Sequence, residues 1–192
     1  QNINWITNFL WGIADDVLRD VYVRGKYRDV ILPMVVLHRL DTVLAPSKQD
    51  VLAMHEQLNK MGVTEQEASL RRAAKLPFYN TSNFSLRDLR NRANKQQLRA
   101  DFENWLDGFS TNVQDIIRNF KFRNQLETLS DADALGTLIE KFLNPDLKLA
   151  ELDNHAMGTV FEELVRRFNE ANNEEAGEHW TPRDVVKLMA NL

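Results

Sequence analysis

The residues best suited to chemistry lie near the end of the chain, in Glu178-His179-Trp180-Thr181-Pro182-Arg183. Thr181 can cap the first N–H groups of a helix, Pro182 suits the first helical position, and Asp184 stands where a capping-box acid belongs. Such a helix start offers unpaired N–H groups and a partial positive charge, which suits an anion. Trp180 would add an apolar wall. The plainer reading is a helix cap beside a core tryptophan, and a Thr-Pro pair does not separate the two.

Other constellations are poorer. His38, His55, His155 and His179 are the only histidines, they share no metal-ligand spacing, and the chain has no cysteine, so no metal site is expected. His38 reads as a hydrogen-bonded core residue. The sequence contains no Gly-x-Ser-x-Gly, no Gly-x-Gly-x-x-Gly and no phosphate-cradling loop. The acid pairs Asp15-Asp16, Glu162-Glu163 and Glu174-Glu175 are sequence neighbours and diverge on a helix, so they read as solvated faces. Asn144-Pro145-Asp146-Leu147 reads as a turn.

Charge is the second signal. The net charge is −4, yet residues 71–123 hold 11 Lys+Arg against 5 Asp+Glu. A basic middle with acidic flanks suits a domain that turns one face to phosphates and another to protein, although scattered arginines on a solvated face give the same count. The phosphate candidates are Arg87, Arg90, Arg92, Lys95 and Arg99, with Arg71, Arg72, Lys75, Lys121 and Arg123 as outlying members. The first three lie in or beside a Ser/Asn-rich connection, where such contacts position nucleic acid without reading its sequence.

The elements that must position these groups are helical. Ile3, Ile6, Phe9, Leu10, Ile13, Val17, Leu18 and Val21 form one stripe, which Gly25 interrupts. A more buried helix follows from Tyr27 to Leu44, with Pro33 near its first turns. A third should start at Pro46-Ser47 with Ser47 and Asp50 as a capping pair, bury Val51, Leu52, Met54, Leu58 and Met61, and end at Gly62. Thr64 and Glu67 suggest another capping box, for a helix through Lys75. Residues 76–93 read as an irregular connection. Helices are expected at Lys95–Asp107, Asn112–Asn119, Asp131–Phe142 and Asp153–Asn172, then an acidic loop to Trp180 and a last helix from Pro182. The fold class is all-α: a multi-helix bundle over 1–172, then a linker and lead-in helix over 173–192. The run Val30–Leu37 is too short to span a membrane, no secretory signal opens the chain, and a cytoplasmic setting is expected. The initial Gln suggests a trimmed start.

Three segments carry a resemblance to a known family. They are Met157–Phe168 with Asn172–Gly177 and His179–Arg183; Phe9–Arg19; and Arg28–Met34. The chain resembles the N-terminal helical domain of the modification (M) subunit of type I restriction–modification systems, an S-adenosylmethionine-dependent adenine-N6 DNA methyltransferase. The resemblance is strongest over Asp153–Leu192, and the middle of the chain is generic. It implies that Glu178, His179, Trp180, Thr181, Pro182 and Arg183 line the S-adenosylmethionine pocket, with the methionine carboxylate at the helix start. It implies DNA, a specificity subunit, a second M subunit and a restriction subunit as partners, and no membrane. The glycine-rich cofactor motif and the catalytic Asn/Asp-Pro-Pro-aromatic motif are absent from these 192 residues, so methylation and tight cofactor binding are not expected of them alone. A competing reading is a helical protein-interaction module with no DNA affinity of its own. A helix-turn-helix repressor fits less well, because no Gly-centred turn joins two helices with an exposed recognition face.

Overall fold

A computed structural model describes residues 2–90, 92 and 94–172, and those residues are all-α. The nine helices are α1 (Ile3–Leu18), α2 (Arg28–Leu44), α3 (Lys48–Lys60), α4 (Glu67–Ala74), α5 (Lys95–Asp107), α6 (Thr111–Asn119), α7 (Arg123–Asp131), α8 (Ala134–Phe142) and α9 (Asn154–Asn172). Among the described residues there is no β-strand, only an isolated bridge between Asn80 and Phe109.

The amphipathic stripes explain the first layer. Asn2 caps α1, its Oδ1 accepting from the Asn4 N–H at 2.8 Å. Ile6, Leu10, Ile13 and Leu18 are then buried against α9 and α8. Helix α2 is buried nearly all round, so its stripe is lost: Val30 to Leu37 are all inside, Pro33 included. Within Arg24–Lys60 a stretch is long and apolar enough to cross a membrane by length and composition, but 72% of that window is buried in the fold. That burial makes it the core helix of the bundle. Helix α9 lies on α1 and α2, burying Met157, Val160, Phe161, Leu164 and Phe168, with Phe168 5.0 Å from Trp11.

Arg39, on α2, fastens the approach to α9. Its guanidinium donates to the carbonyls of Leu149 (2.6 Å) and Leu152 (2.8 Å) and to Asn154 Oδ1 (3.0 Å). Burial lowers its pKa, and these three acceptors replace water at the two terminal nitrogens, while the buried Nε is left without a partner among the described residues. Asp153 caps α9 through the Ala156 N–H. Asn144-Pro145-Asp146-Leu147 is a turn as expected, with Asn144 Oδ1 accepting from the Asp146 N–H at 2.8 Å.

Four expectations are corrected. Ser47 does not cap α3; its hydroxyl donates back to the Leu44 carbonyl at 3.4 Å, because a 3-10 turn over Ala45–Ser47 precedes the helix. The Thr64–Glu67 capping box does not form either, since Gln66 is the residue before α4. Met61 is 66% exposed, having passed the end of α3, where Gly62 takes φ +71°. The helix expected over 131–142 starts later, at Ala134, because Asp133 sits at φ +55° and separates it from α7, a helix over Arg123–Asp131 that was not expected. Residues 173–192, with the acidic loop and the helix expected from Pro182, lie outside the described residues.

Candidate nucleic-acid interface

The connection after α4 is irregular in backbone but anchored throughout. Phe78, Leu86 and Leu89 are buried as apolar plugs. Asn80 is 2% exposed; its Nδ2 donates to the Trp105 carbonyl at 3.0 Å, and its Oδ1 accepts from the Ser82 N–H at 2.7 Å and from Lys48 Nζ at 3.2 Å. Lys48 also donates to the Phe84 carbonyl at 3.1 Å. Asp41 accepts from Trp105 Nε1 at 2.9 Å and from the Leu86 N–H at 3.2 Å. Asn112 Nδ2 donates to the Pro77 carbonyl, and Tyr79 and Ser110 bond across the start of α6. Gly108 is required here because a Cβ would stand 2.5 Å from the Ser82 backbone nitrogen.

Burial pushes the Asp41 carboxyl up and the Lys48 amine down to about 8, each shift reduced by the other group's charge. A polar cluster joining α2, α3 and α5 therefore holds the loop in place. The sequence carried one signal of it: Asp41 lies on α2 between Leu37 and Leu44, a carboxylate at helical spacing on an apolar face.

Arg87 and Arg90 bracket a 3-10 turn (Arg87–Leu89) that stands on this base. Both are exposed and have no acidic partner among the described residues. Lys95 projects from the first turn of α5, beneath the Asn94 cap. The other two candidates are engaged. Arg92 pairs with Asp101 at 3.1 Å and lies 5.4 Å over the Phe84 ring, so it braces the loop. Arg99 pairs with Glu103 at 3.2 Å along α5. Arg71 and Arg123 pair with Glu67 and Asp107. The structure thus gathers Arg87, Arg90, Arg92 and Lys95 around the loop and the start of α5, and takes Arg92 and Arg99 partly out of play. Glu178, His179, Trp180, Thr181, Pro182 and Arg183, expected at the cofactor, lie outside the described residues.

His38 is buried beside Phe142, with ring centroids 5.8 Å apart. It hydrogen-bonds the Phe142 backbone, and burial lowers its pKa to about 4. It is a neutral core residue, as its sequence position suggested.

Two family matches run along the chain. The HsdM N-terminal domain family matches residues 6–142, and the N-6 DNA Methylase family matches residues 152–192. A helical bundle leading into a DNA methylase sequence defines the class, a subunit of a DNA methyltransferase. More narrowly, the chain belongs to the HsdM N-terminal domain family and corresponds to the N-terminal region of the modification subunit of type I restriction–modification systems. No curated protein and no solved structure matches it.

Proposed function

We propose that this chain forms the N-terminal helical domain, residues 1–172, and the entry to the catalytic domain, residues 173–192, of a cytoplasmic adenine-N6 DNA methyltransferase subunit. The helical domain clamps duplex DNA by its phosphates and docks the subunit on the specificity subunit and a second M subunit, with a restriction subunit in the larger complex. Glu178–Arg183 contributes one edge of the pocket for S-adenosylmethionine, the methyl donor. The target adenine would be flipped from the duplex by the assembled enzyme, and these 192 residues are inactive alone.

The observation that carries the DNA role is the anchored 77–90 loop, which presents Arg87 and Arg90 to solvent with no acidic partner among the described residues. Holding the loop beforehand lowers the ordering cost of phosphate contact. Fluorescence anisotropy with duplex DNA at rising salt tests it. Binding should weaken steeply with salt, and R87Q/R90Q should lower the log–log slope by about 2, close to 0.9 per lost phosphate contact. Absence of binding even at low salt sinks the clamp and favours the interaction-module reading. That reading has its own support in Trp5, which is 39% exposed and stacked on Phe9 at 5.0 Å.

A further inference from the structure

A second basic site lies away from the loop, where α6 turns into α7. The turn borders a half-open pocket of about 430 Å³ lined by Gln114, Ile117, Arg118, Lys121, Arg123 and Asn124. Residues 114, 117 and 118 share one face of α6, and 121, 123 and 124 come from the turn and the first residues of α7. Three of the six lining side chains are cationic, and none is acidic.

The acids that balance them stand outside the lining. Arg118 pairs with Asp115 at 2.8 Å and Arg123 with Asp107 at 2.8 Å, both pairs well exposed to solvent. Exposed pairs of this kind contribute little, so either guanidinium can exchange its carboxylate for another anion at small cost. Lys121 has no acidic partner among the described residues. Gln114 positions Arg123: its Nε2 is fixed on the carbonyls of Leu106 and Phe109, and its Oε1 accepts from Arg123 at 3.1 Å. Helix α7 begins here with no side-chain cap and no acid in its first turn, so its positive pole meets three more cations. Folding alone does not favour that placement.

We infer that this pocket is a phosphate-binding subsite, with Arg118 and Arg123 as planar donors and Lys121 as a point charge. Its position points to a nucleic-acid backbone as the source of the phosphate. Helix α7 runs antiparallel to α5: its first residue, Arg123, pairs with Asp107 at the end of α5. At its far end, Ser130 and Asp133 share a smaller pocket with Arg92, Lys95 and Leu98. The two basic sites therefore sit at opposite ends of one helix pair, separated by the nine residues of α7, about 12 Å at 1.5 Å per residue. A free phosphate or nucleotide has no use for two such sites, whereas a polyanion crosses both. The choice of nucleic acid rests on the proposed DNA role; the pocket's affinity for phosphate does not.

The test uses the 192-residue chain with two variants, R118Q/K121Q and K121G. The second also relieves the φ +54° that Lys121 adopts, so it should fold at least as well as the parent. NMR shifts are followed during titration with inorganic pyrophosphate, and anisotropy with duplex DNA. Pyrophosphate should move the backbone signals of Arg118–Asn124 in the parent and not in R118Q/K121Q. For DNA, R118Q/K121Q should lower the salt slope by about 1, one seated phosphate, on top of any change from R87Q/R90Q. Pyrophosphate shifts with unchanged DNA binding would keep the phosphate site and overturn the nucleic-acid source. No shift with pyrophosphate and no change with DNA would overturn the subsite, while a slope change in R87Q/R90Q would still stand for the loop.

Discussion

The layer of α1, α2 and α9 and the region from α3 to the start of α6 are held by different forces. The first is apolar contact almost throughout: Ile6, Leu10, Val30, Ile31, Val35, Met157, Val160, Phe161 and Leu164 have essentially no exposed surface. Its few buried polar groups include Arg39, which fastens the connection leading into α9 onto it. The second buries Asn80, Ser82, Asp101 and Ser110 together with its aromatic residues, and spans its long connection with side-chain hydrogen bonds to backbone. Apolar packing degrades in proportion to the volume removed, whereas a polar network depends on each member's geometry. The exposed arginines rise from the second kind of structure. The division of labour is physical: one side supplies stability, and the other fixes the positions of charges.

The largest effect should come from cutting the apolar side. Phe161→Ala removes a fully buried ring from α9 and should cost about 4 kcal/mol, read by urea denaturation. Its DNA affinity, measured below the unfolding midpoint, should match the parent. A changed salt slope in that variant would blur the comparison, because it would tie the charge-bearing loop to the α9 layer.

Gly108→Ala makes the opposite cut. The new Cβ would meet Asn80 Oδ1 and stand 2.5 Å from the Ser82 nitrogen and 2.8 Å from its Cβ. Neither backbone segment can move without breaking the Asn80 bonds to Trp105 and Lys48, so the cost should be about 3 kcal/mol. Here DNA affinity should fall as well, since the loop under Arg87 and Arg90 must shift. Loss of stability with full DNA binding would show that the polar network fixes the fold without fixing the charges.

The same contrast governs what the sequence revealed. Helices α1, α2, α5 and α9 were legible because each repeats apolar residues at helical spacing, and the residues expected inside α5 (Leu98, Phe102, Trp105 and Leu106) are all buried. Helix α7 was missed: Arg123–Asp131 has only Leu126 and Leu129 as buried apolar anchors and starts without a cap. The Asp133 break was equally silent, because a left-handed aspartate leaves no pattern. At the candidate site, sequence reasoning found the arginines but not their partners. Arg99 with Glu103 was readable as an i,i+4 pair, whereas Arg92 with Asp101 depends on the path of the loop. The pocket at Lys121 forms only when α6 folds back into α7, so spacing along the chain could not show it.

His38 supplies the smallest and most selective test, as a titratable group inside the apolar side. Its folded pKa of about 4 lies below the ordinary 6.5 because burial opposes the charged ring. Between those two values the unfolded chain binds more protons than the folded one. Stability is therefore whole above about pH 6.5 and falls as pH drops toward 4. Going from about pH 7.5 to pH 5 should cost about 2 kcal/mol from this residue alone. Asp41, on the polar side, acts in the opposite sense, since its raised folded pKa makes protonation favour the fold as pH falls. The measurement must be a difference: denaturation midpoints of the parent and of His38→Gln across that range. The Gln amide can keep a hydrogen bond to the Phe142 backbone but cannot titrate. Subtracting the two curves cancels Asp41 and leaves the histidine. A difference that grows by about 2 kcal/mol toward acid places the acid sensitivity in the apolar side; parallel curves would mean that the buried ring takes up its proton at its ordinary pKa, and that the layer around it opens to water far more readily than its packing implies.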